Sequence, residues 1–195
     1  MSVKERAWSL TPRQREGRAV NAVAELLRRT LSVPNIYIEP PESVIAADVL
    51  AVDRAGAGDL HAVEIELAPT LNPKGQRRKQ PKSKDWDARS TGYLEYREMI
   101  GGIHRRLMSM PAHYRYIAIP ADSYDVAFGT LVQHGLFHAD GIGRLGIIVI
   151  TEKGEGSPTA EVDMAPERFR VDPVKLKVIE AKLLAKSRPD IEVRI

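Results

Sequence analysis

The sequence predicts an α/β domain with a mixed sheet, and three observations support this. A helical pattern comes first, two β-rich stretches joined by a glycine turn follow, and apolar strand-like runs then alternate with helical patterns. A hairpin followed by helical crossovers combines antiparallel and parallel strands in one sheet. Because 195 residues is a usual length for one domain, we expect a single domain over 1–195.

The first third of the chain supplies one helix and three strands. Thr11-Pro12 is an N-cap followed by an N1 proline, and apolar residues then recur at helical spacing, which predicts a helix over 12–31. Strands are predicted over 35–39, 44–53 and 60–67. The last two strands flank a turn that contains two glycines, so they should pair as a hairpin.

The rest of the chain alternates helices and strands. A long helix is predicted over 85–108 from an apolar stripe at spacings of three and four, and Gly101-Gly102 is expected to kink or weaken it. The remaining predicted elements are a strand over 114–119, a helix over 122–136, strands over 144–150 and 161–164, and a helix from 172 to 186.

Composition limits the class of protein. There is no apolar run of 18 residues and no charged leader before an apolar stretch, so we expect neither a membrane span nor a secretory signal. The absence of cysteine excludes disulfides and thiolate metal sites, and it fits a cytoplasmic location.

Positive charge is concentrated in the segment 68–84, which reads APTLNPKGQRRKQPKSK. The segment is +6 and the whole chain +3, which leaves −3 elsewhere. Such a segment is either a solvated loop or an arm that binds phosphates, because lysine and arginine gain affinity by releasing condensed counterions. The candidate phosphate-binding residues are Lys74, Arg77, Arg78, Lys79, Lys82 and Lys84.

Two motif-like patterns carry no function. The GxGxxG pattern over 141–146 leads into a predicted strand instead of opening a helix, so we interpret it as a turn. His134 and His138 are four residues apart, but a glycine lies between them and no third ligand is evident, so we expect no metal site there.

Three acids in the predicted hairpin form the candidate site. Glu64 and Glu66 are two residues apart in a strand and therefore share a face, and Asp48 lies in the partner strand. Adjacent buried carboxylates need a positive partner. A hairpin of this length can bring the three together, where they would attract a hard divalent cation, Mg²⁺ or Mn²⁺. The alternative is a solvated sheet face with three unconnected acids.

The order of elements and acids resembles the PD-(D/E)XK nuclease superfamily, in which an N-terminal helix precedes strands carrying Asp-x(n)-Glu-x-Lys, then a helix and another strand. The resemblance covers 12–150, with 151–195 as a C-terminal strand and helix. It implies a restriction-endonuclease-like fold of three layers, with a central mixed sheet flanked by helices. Asp48 matches the first acid of the motif and Glu64 the second.

One position departs from the pattern, because Glu66 stands where the family usually has lysine. In the family that lysine is thought to orient the attacking water, and some restriction enzymes carry Glu-x-Glu instead. Glu66 would then hold metal or act as a general base. Family members often add an acid from the first helix. Glu25, which flanks the apolar stripe, is the better candidate here, and Glu16, on the stripe itself, is the weaker one.

The resemblance implies an endonuclease of restriction or repair type that cleaves DNA with Mg²⁺ or Mn²⁺. Asp48, Glu64 and Glu66 would be the metal ligands and, with Glu25, the catalytic residues. RNA stays open as a substrate, and a homodimer is expected because cutting both strands needs two sites. Two alternatives remain: an inactive relative that binds nucleic acid or assembles with partners, and an unrelated scaffold with surface acids.

Overall fold

The fold is a six-stranded mixed sheet with helices on both faces, α/β as the sequence predicts. The computed structural model describes residues 11–32, 34–40, 42, 44–53, 58–67, 91–135, 144–152 and 157–186. The strands are β1 (Pro34–Ile38), β2 (Val49–Asp53), β3 (Asp59–Ile65), β4 (Tyr114–Pro120), β5 (Gly146–Thr151) and β6 (Thr159–Met164). The helices are α1 (Pro12–Thr30), α2 (Thr91–Ser109), α3 (Tyr124–Gln133) and α4 (Pro173–Lys186).

The strands lie in the sheet in chain order, β1 to β6. The first three form an antiparallel meander, which includes the predicted β2–β3 hairpin. Strands β3, β4 and β5 are parallel, and β6 returns antiparallel to β5. The helices α2 and α3 make the two parallel crossovers, so the carboxyl ends of β3, β4 and β5 meet at one edge of the sheet.

Helix α1 covers one face of the sheet. It begins where the sequence predicts because Thr11 and Gln14 form a capping box, in which each side chain accepts a hydrogen bond from the amide of the other residue. Its buried stripe includes Val23 and Leu27, which pack against odd-numbered residues of β3 such as Val63.

Helices α2, α3 and α4 contribute to the core on the opposite face. The predicted stripe of α2 is buried there at Tyr96, Ile100, Ile103 and Leu107. It packs against even-numbered residues of the hairpin, including Leu50 and Ala62. The sheet therefore separates two hydrophobic clusters, which is the layering expected for helices on both sides of a sheet.

Two sequence predictions about the helices need correction, and a third is not tested. Gly101 and Gly102 do not interrupt α2, which is continuous through both. Gly101 instead permits close packing against α3, because a Cβ there would lie 2.6 Å from Nε2 of His134. Helix α3 is shorter than predicted, since a 3-10 turn occupies Ala121–Ser123. The predicted start of α2, 85–90, lies outside the described residues.

The prediction that Asp48 lies in the middle of a strand is also wrong, because β2 begins at Val49 and not at residue 44. The Asp48 backbone still bonds to both neighbours: its amide donates to the carbonyl of Val63 and its carbonyl accepts from Glu39. Its side chain, however, takes the amide of Ile65. The regular ladder therefore stops at Asp48.

No helix among the described residues is both long enough and apolar enough to cross a membrane.

Candidate active site

The pairing of β2 with β3 brings Asp48 and Glu64 to neighbouring positions. Val49 pairs with Val63 in the antiparallel register, so Asp48 and Glu64 occupy the next opposed positions. Glu64 is on the same side as Ala62, the face that α2 covers. Glu66 follows two residues later, just beyond the end of β3, and its amide donates to the carbonyl of Ala118 in β4.

The carboxylate of Asp48 has a fixed orientation. Its Oδ2 accepts a hydrogen bond from the amide of Ile65 at 2.6 Å. An acid at the start of a strand is unfavourable unless its charge is stabilised, and a backbone amide is one such stabilising donor. The bond therefore accounts for the acid in the hairpin and directs it towards the end of β3.

The buried carboxylate of Glu64 has a positive partner in Arg106 of α2. The Nη2 atom of Arg106 donates to Oε2 of Glu64 at 2.8 Å. The Glu64 side chain is only 8% exposed, whereas that of Arg106 is 55% exposed. The bond and the negative charges around it raise the pKa of Arg106. The positive partner that two adjacent glutamates require is, in the described part of the chain, this guanidinium.

A second arginine fixes the carboxyl end of α2, which carries Arg106. Arg115 donates from Nη1 to the carbonyl of Met108 at 2.7 Å and from Nε to that of Ala112 at 3.0 Å. Its guanidinium lies 3.9 Å from the ring centroid of Phe169. A buried cation that binds the last carbonyls of a helix satisfies groups that the helix leaves unpaired. Arg106 thus projects from an anchored helix end.

Burial and mutual repulsion disturb the ionisation of two of the acids. The pKa of Glu66 is raised to about 7, mainly by burial and also by the charges of Asp48, Glu64 and Glu16, while Arg106 opposes the shift. Burial also raises the pKa of Asp48 to about 6, with the Ile65 amide opposing and the charges of Glu64 and Glu16 adding to it. These acids therefore exchange protons close to neutral pH, as catalytic carboxylates often do.

The oxygen donors of this cluster fit a hard divalent cation. The bonds to Ile65 and Arg106 each engage one carboxylate oxygen of Asp48 and Glu64, so among the described residues the second oxygen of each carboxylate is left open to another ligand. No three histidine or acidic side chains in the described ranges form a group that could hold a metal by themselves. Mg²⁺ commonly binds through one or two carboxylates, with waters and substrate phosphates completing the octahedron. Asp48 and Glu64 would supply the two carboxylates of such a site.

The acid of α1 that lies near the cluster is Glu16 and not Glu25, the candidate that the sequence favoured. Glu25 is 57% exposed and lies within 4 Å of Arg28 and Arg29 on its own helix. Glu16, nine residues nearer the helix start, is close enough to raise the pKa of both Asp48 and Glu66. Nine residues are about 14 Å along a helix axis, so the two glutamates cannot serve one site. The structure joins Glu16 to the cluster and leaves Glu25 apart from it.

The other predicted residues fall in parts of the chain without described coordinates. The basic positions Lys74, Arg77, Arg78, Lys79, Lys82 and Lys84 all lie outside the described residues, and so does His138. Sequence reasoning missed Arg106. The available signal was its place beside Leu107 in the buried stripe of α2, which puts a cation at the margin of the face that packs on the acid-bearing strand.

The cluster combines carboxylate oxygens of the kind that a hard cation prefers, two acids with pKa values raised towards neutral pH, and a half-exposed arginine side chain. It lies where the parallel strands end, which is the usual place for ligands in α/β sheets. No protein-family model matches the chain, and no curated protein matches it.

Proposed function

We propose that this protein is a metal-dependent endonuclease with a restriction-endonuclease-like core, and that it hydrolyses phosphodiester bonds of DNA. One observation carries the proposal: Asp48 and Glu64 lie at opposed positions of the hairpin, and Glu66, two residues further on, interacts electrostatically with both acids and with Arg106. The order helix, three strands, helix and strand in 12–120 supports it, since that layout is the one on which the resemblance to the superfamily rests.

Each side chain has a role that its surroundings support. Asp48 and Glu64 would hold Mg²⁺ or Mn²⁺, with Glu66 next to them. Bound there, the cation would lower the pKa of a water and neutralise charge on the scissile phosphate. Glu66, whose pKa is near 7, takes a proton from the attacking water as general base. Cutting both strands of a duplex needs two such sites, which a twofold homodimer would provide.

A catalytically inactive protein that binds nucleic acid is the second candidate. Two observations favour it: Glu66 replaces the family's lysine, and Glu64 already has a salt-bridge partner in Arg106. In that case the Glu64–Arg106 pair is a structural ion pair and the basic segment 68–84 carries the function.

Incubation of the purified full-length chain with supercoiled DNA tests the two candidates. The endonuclease produces nicked and linear DNA with Mg²⁺ or Mn²⁺ and none when EDTA is present. The inactive protein retards DNA in a gel without cutting it under either condition. A chain that neither cuts nor binds DNA contradicts both candidates.

The basic segment gives a separate prediction about DNA binding. If Arg77, Arg78 and Lys79 bind phosphates, changing all three to alanine weakens binding to every duplex sequence, because phosphate contacts carry no sequence information. The slope of log affinity against log salt becomes shallower by about 0.9 for each phosphate that is no longer neutralised. Fluorescence anisotropy at several salt concentrations measures this slope. An unchanged slope means that the segment is a solvated loop.

A further inference from the structure

Arg106 is placed to do more than neutralise Glu64. Its guanidinium interacts electrostatically with Glu64, Asp48 and Glu66 together, and it donates one hydrogen bond, from Nη2, to Glu64. A guanidinium has five N–H donors in a fixed plane. The side chain is 55% exposed, so Arg106 borders solvent as well as Glu64.

Glu64 and Arg106 differ in how freely they can change partners. The carboxylate of Glu64 is almost fully buried, so water cannot replace a lost cation at low cost. Arg106 loses little by turning outwards, since more than half of its side chain is already exposed. A divalent cation that binds the open oxygen of Glu64 repels the guanidinium on the other oxygen, and a guanidinium released in this way can bind an anion next to the cation.

We propose that Arg106 exchanges partners: it holds Glu64 in the cation-free protein and moves to the substrate's phosphodiester group when a divalent cation binds. The inference rests on the proposed function, because it assumes that the carboxylates bind a cation. It makes cation binding and DNA binding mutually reinforcing, and by linkage each raises the affinity of the other by the same factor.

Cation affinity in the absence of DNA tests the first half of the exchange. Calorimetric titration of the full chain with MnCl₂ at pH 8 compares the wild type with Arg106→Met and Arg106→Gln. Removing the competing guanidinium tightens Mn²⁺ binding about tenfold, since an adjacent opposite charge shifts carboxylate equilibria by at least that factor. Arg105→Met is the matched control, because Arg105 is exposed and points about 100° away on α2.

The sign of the effect separates the possible roles. If Arg106 merely positioned Glu64, either Arg106 variant would bind Mn²⁺ as weakly as or more weakly than the wild type, and the exchange would be overturned while the metal site stood. If the wild type binds no Mn²⁺, the proposed function falls together with the exchange. Arg106→Gln keeps polar groups at the site. Its affinity for Mn²⁺ therefore tests the exchange even if Arg106→Met folds poorly.

DNA binding tests the second half. With Ca²⁺ in place of Mg²⁺ to suppress cutting, Arg106→Met binds duplex more weakly and its salt slope is shallower by about 0.9, as expected when one fewer phosphate is neutralised. Ca²⁺ also enhances DNA binding less in this variant than in the wild type, whereas Arg105→Met behaves as wild type. A variant that retains the full Ca²⁺ enhancement and the wild-type slope overturns the transfer to phosphate.

Discussion

Glu66→Gln is expected to abolish DNA cleavage while duplex binding stays nearly intact. Glutamine has almost the shape of glutamate but cannot take a proton, and a positioned general base contributes about 10²–10⁴-fold to rate. The raised pKa of Glu66, about 7, suits a base that works at neutral pH. Single-turnover cleavage of a labelled duplex measures the loss, and anisotropy in Ca²⁺ measures binding. Glu98→Gln, an exposed glutamate of α2, is the control.

The pH dependence of the cleavage rate tests the role of Glu66 in a second way. A general base is active when deprotonated, so the wild-type rate rises with pH up to about 7 and then levels off. Residual cleavage by Glu66→Gln lacks that rise. Cleavage that survives the substitution unchanged shows that another group activates the water. If the wild type binds DNA without cutting, the site is inactive, and Glu66→Lys, which restores the common motif, is the variant to test for gained activity.

Most of the fold is predictable because the elements have regular hydrophobic periods. The stripe of α2 at Tyr96, Ile100, Ile103 and Leu107 is buried as its spacing predicts, and β2 and β3 pair as the predicted hairpin. The start of β2 is not predictable in this way. Residues 44–48 have strand composition, but the side chain of Asp48 takes the Ile65 amide and the ladder ends there. A sequence pattern reflects the residue types of a segment, whereas the hydrogen bond from Ile65 to Asp48 depends on the tertiary structure.

Strand parity let the sequence predict that Asp48 lies near Glu64 in the hairpin, and the register places the two at opposed positions. The contribution of α1 could not be predicted in this way, because it depends on where the helix starts relative to the sheet edge. A stripe residue in the middle of a helix faces the core, but Glu16 lies near the start of α1, is exposed, and is close enough to raise the pKa of Asp48. Glu25 flanks the stripe further along, where its neighbours are Arg28 and Arg29.

The role of Arg106 could be recognised only from the three-dimensional fold. It is 42 residues from Glu64 in sequence, and its bond to that residue depends on the crossing of α2 over β3. Sequence reasoning expected the positive partner of the glutamates to be a metal. The structure supplies an arginine, which donates to one oxygen of Glu64, and the exchange proposed above would let a cation take its place.

Asp48→Asn is expected to stabilise the folded protein at neutral pH while removing cation binding and cleavage. The asparagine side-chain oxygen can still accept from the Ile65 amide, so the local geometry is retained. The pKa of the Asp48 carboxyl is raised from its ordinary value of 3.8 to about 6, so the folded state holds this proton more tightly than the unfolded chain does. Ionisation of Asp48 therefore opposes folding.

Because ionisation of Asp48 opposes folding, the stability gained by Asp48→Asn depends on pH. The native protein loses stability as pH rises from about 4 to about 6, and the full loss applies above that range. Asp48→Asn avoids the loss, so its advantage is absent near pH 4 and largest above pH 7. We expect about 1–2 kcal/mol after allowing for solvent screening of a partly exposed group, or about 2–6 °C in Tm for a chain of this size.

Thermal unfolding between pH 4 and pH 8, with and without Mn²⁺, measures both halves of this prediction. Mn²⁺ raises the Tm of the wild type, because the cation binds only the folded site, and leaves Asp48→Asn unchanged. Glu98→Gln shows neither the pH-dependent gain nor the loss of the Mn²⁺ effect. If Asp48→Asn melts lower than the wild type at pH 8, the carboxylate stabilises the fold and is a structural acid. A carboxylate cluster that destabilises the fold without a cation and is stabilised by one behaves as a binding site. Its charges are arranged for a ligand and destabilise the protein when no ligand is bound.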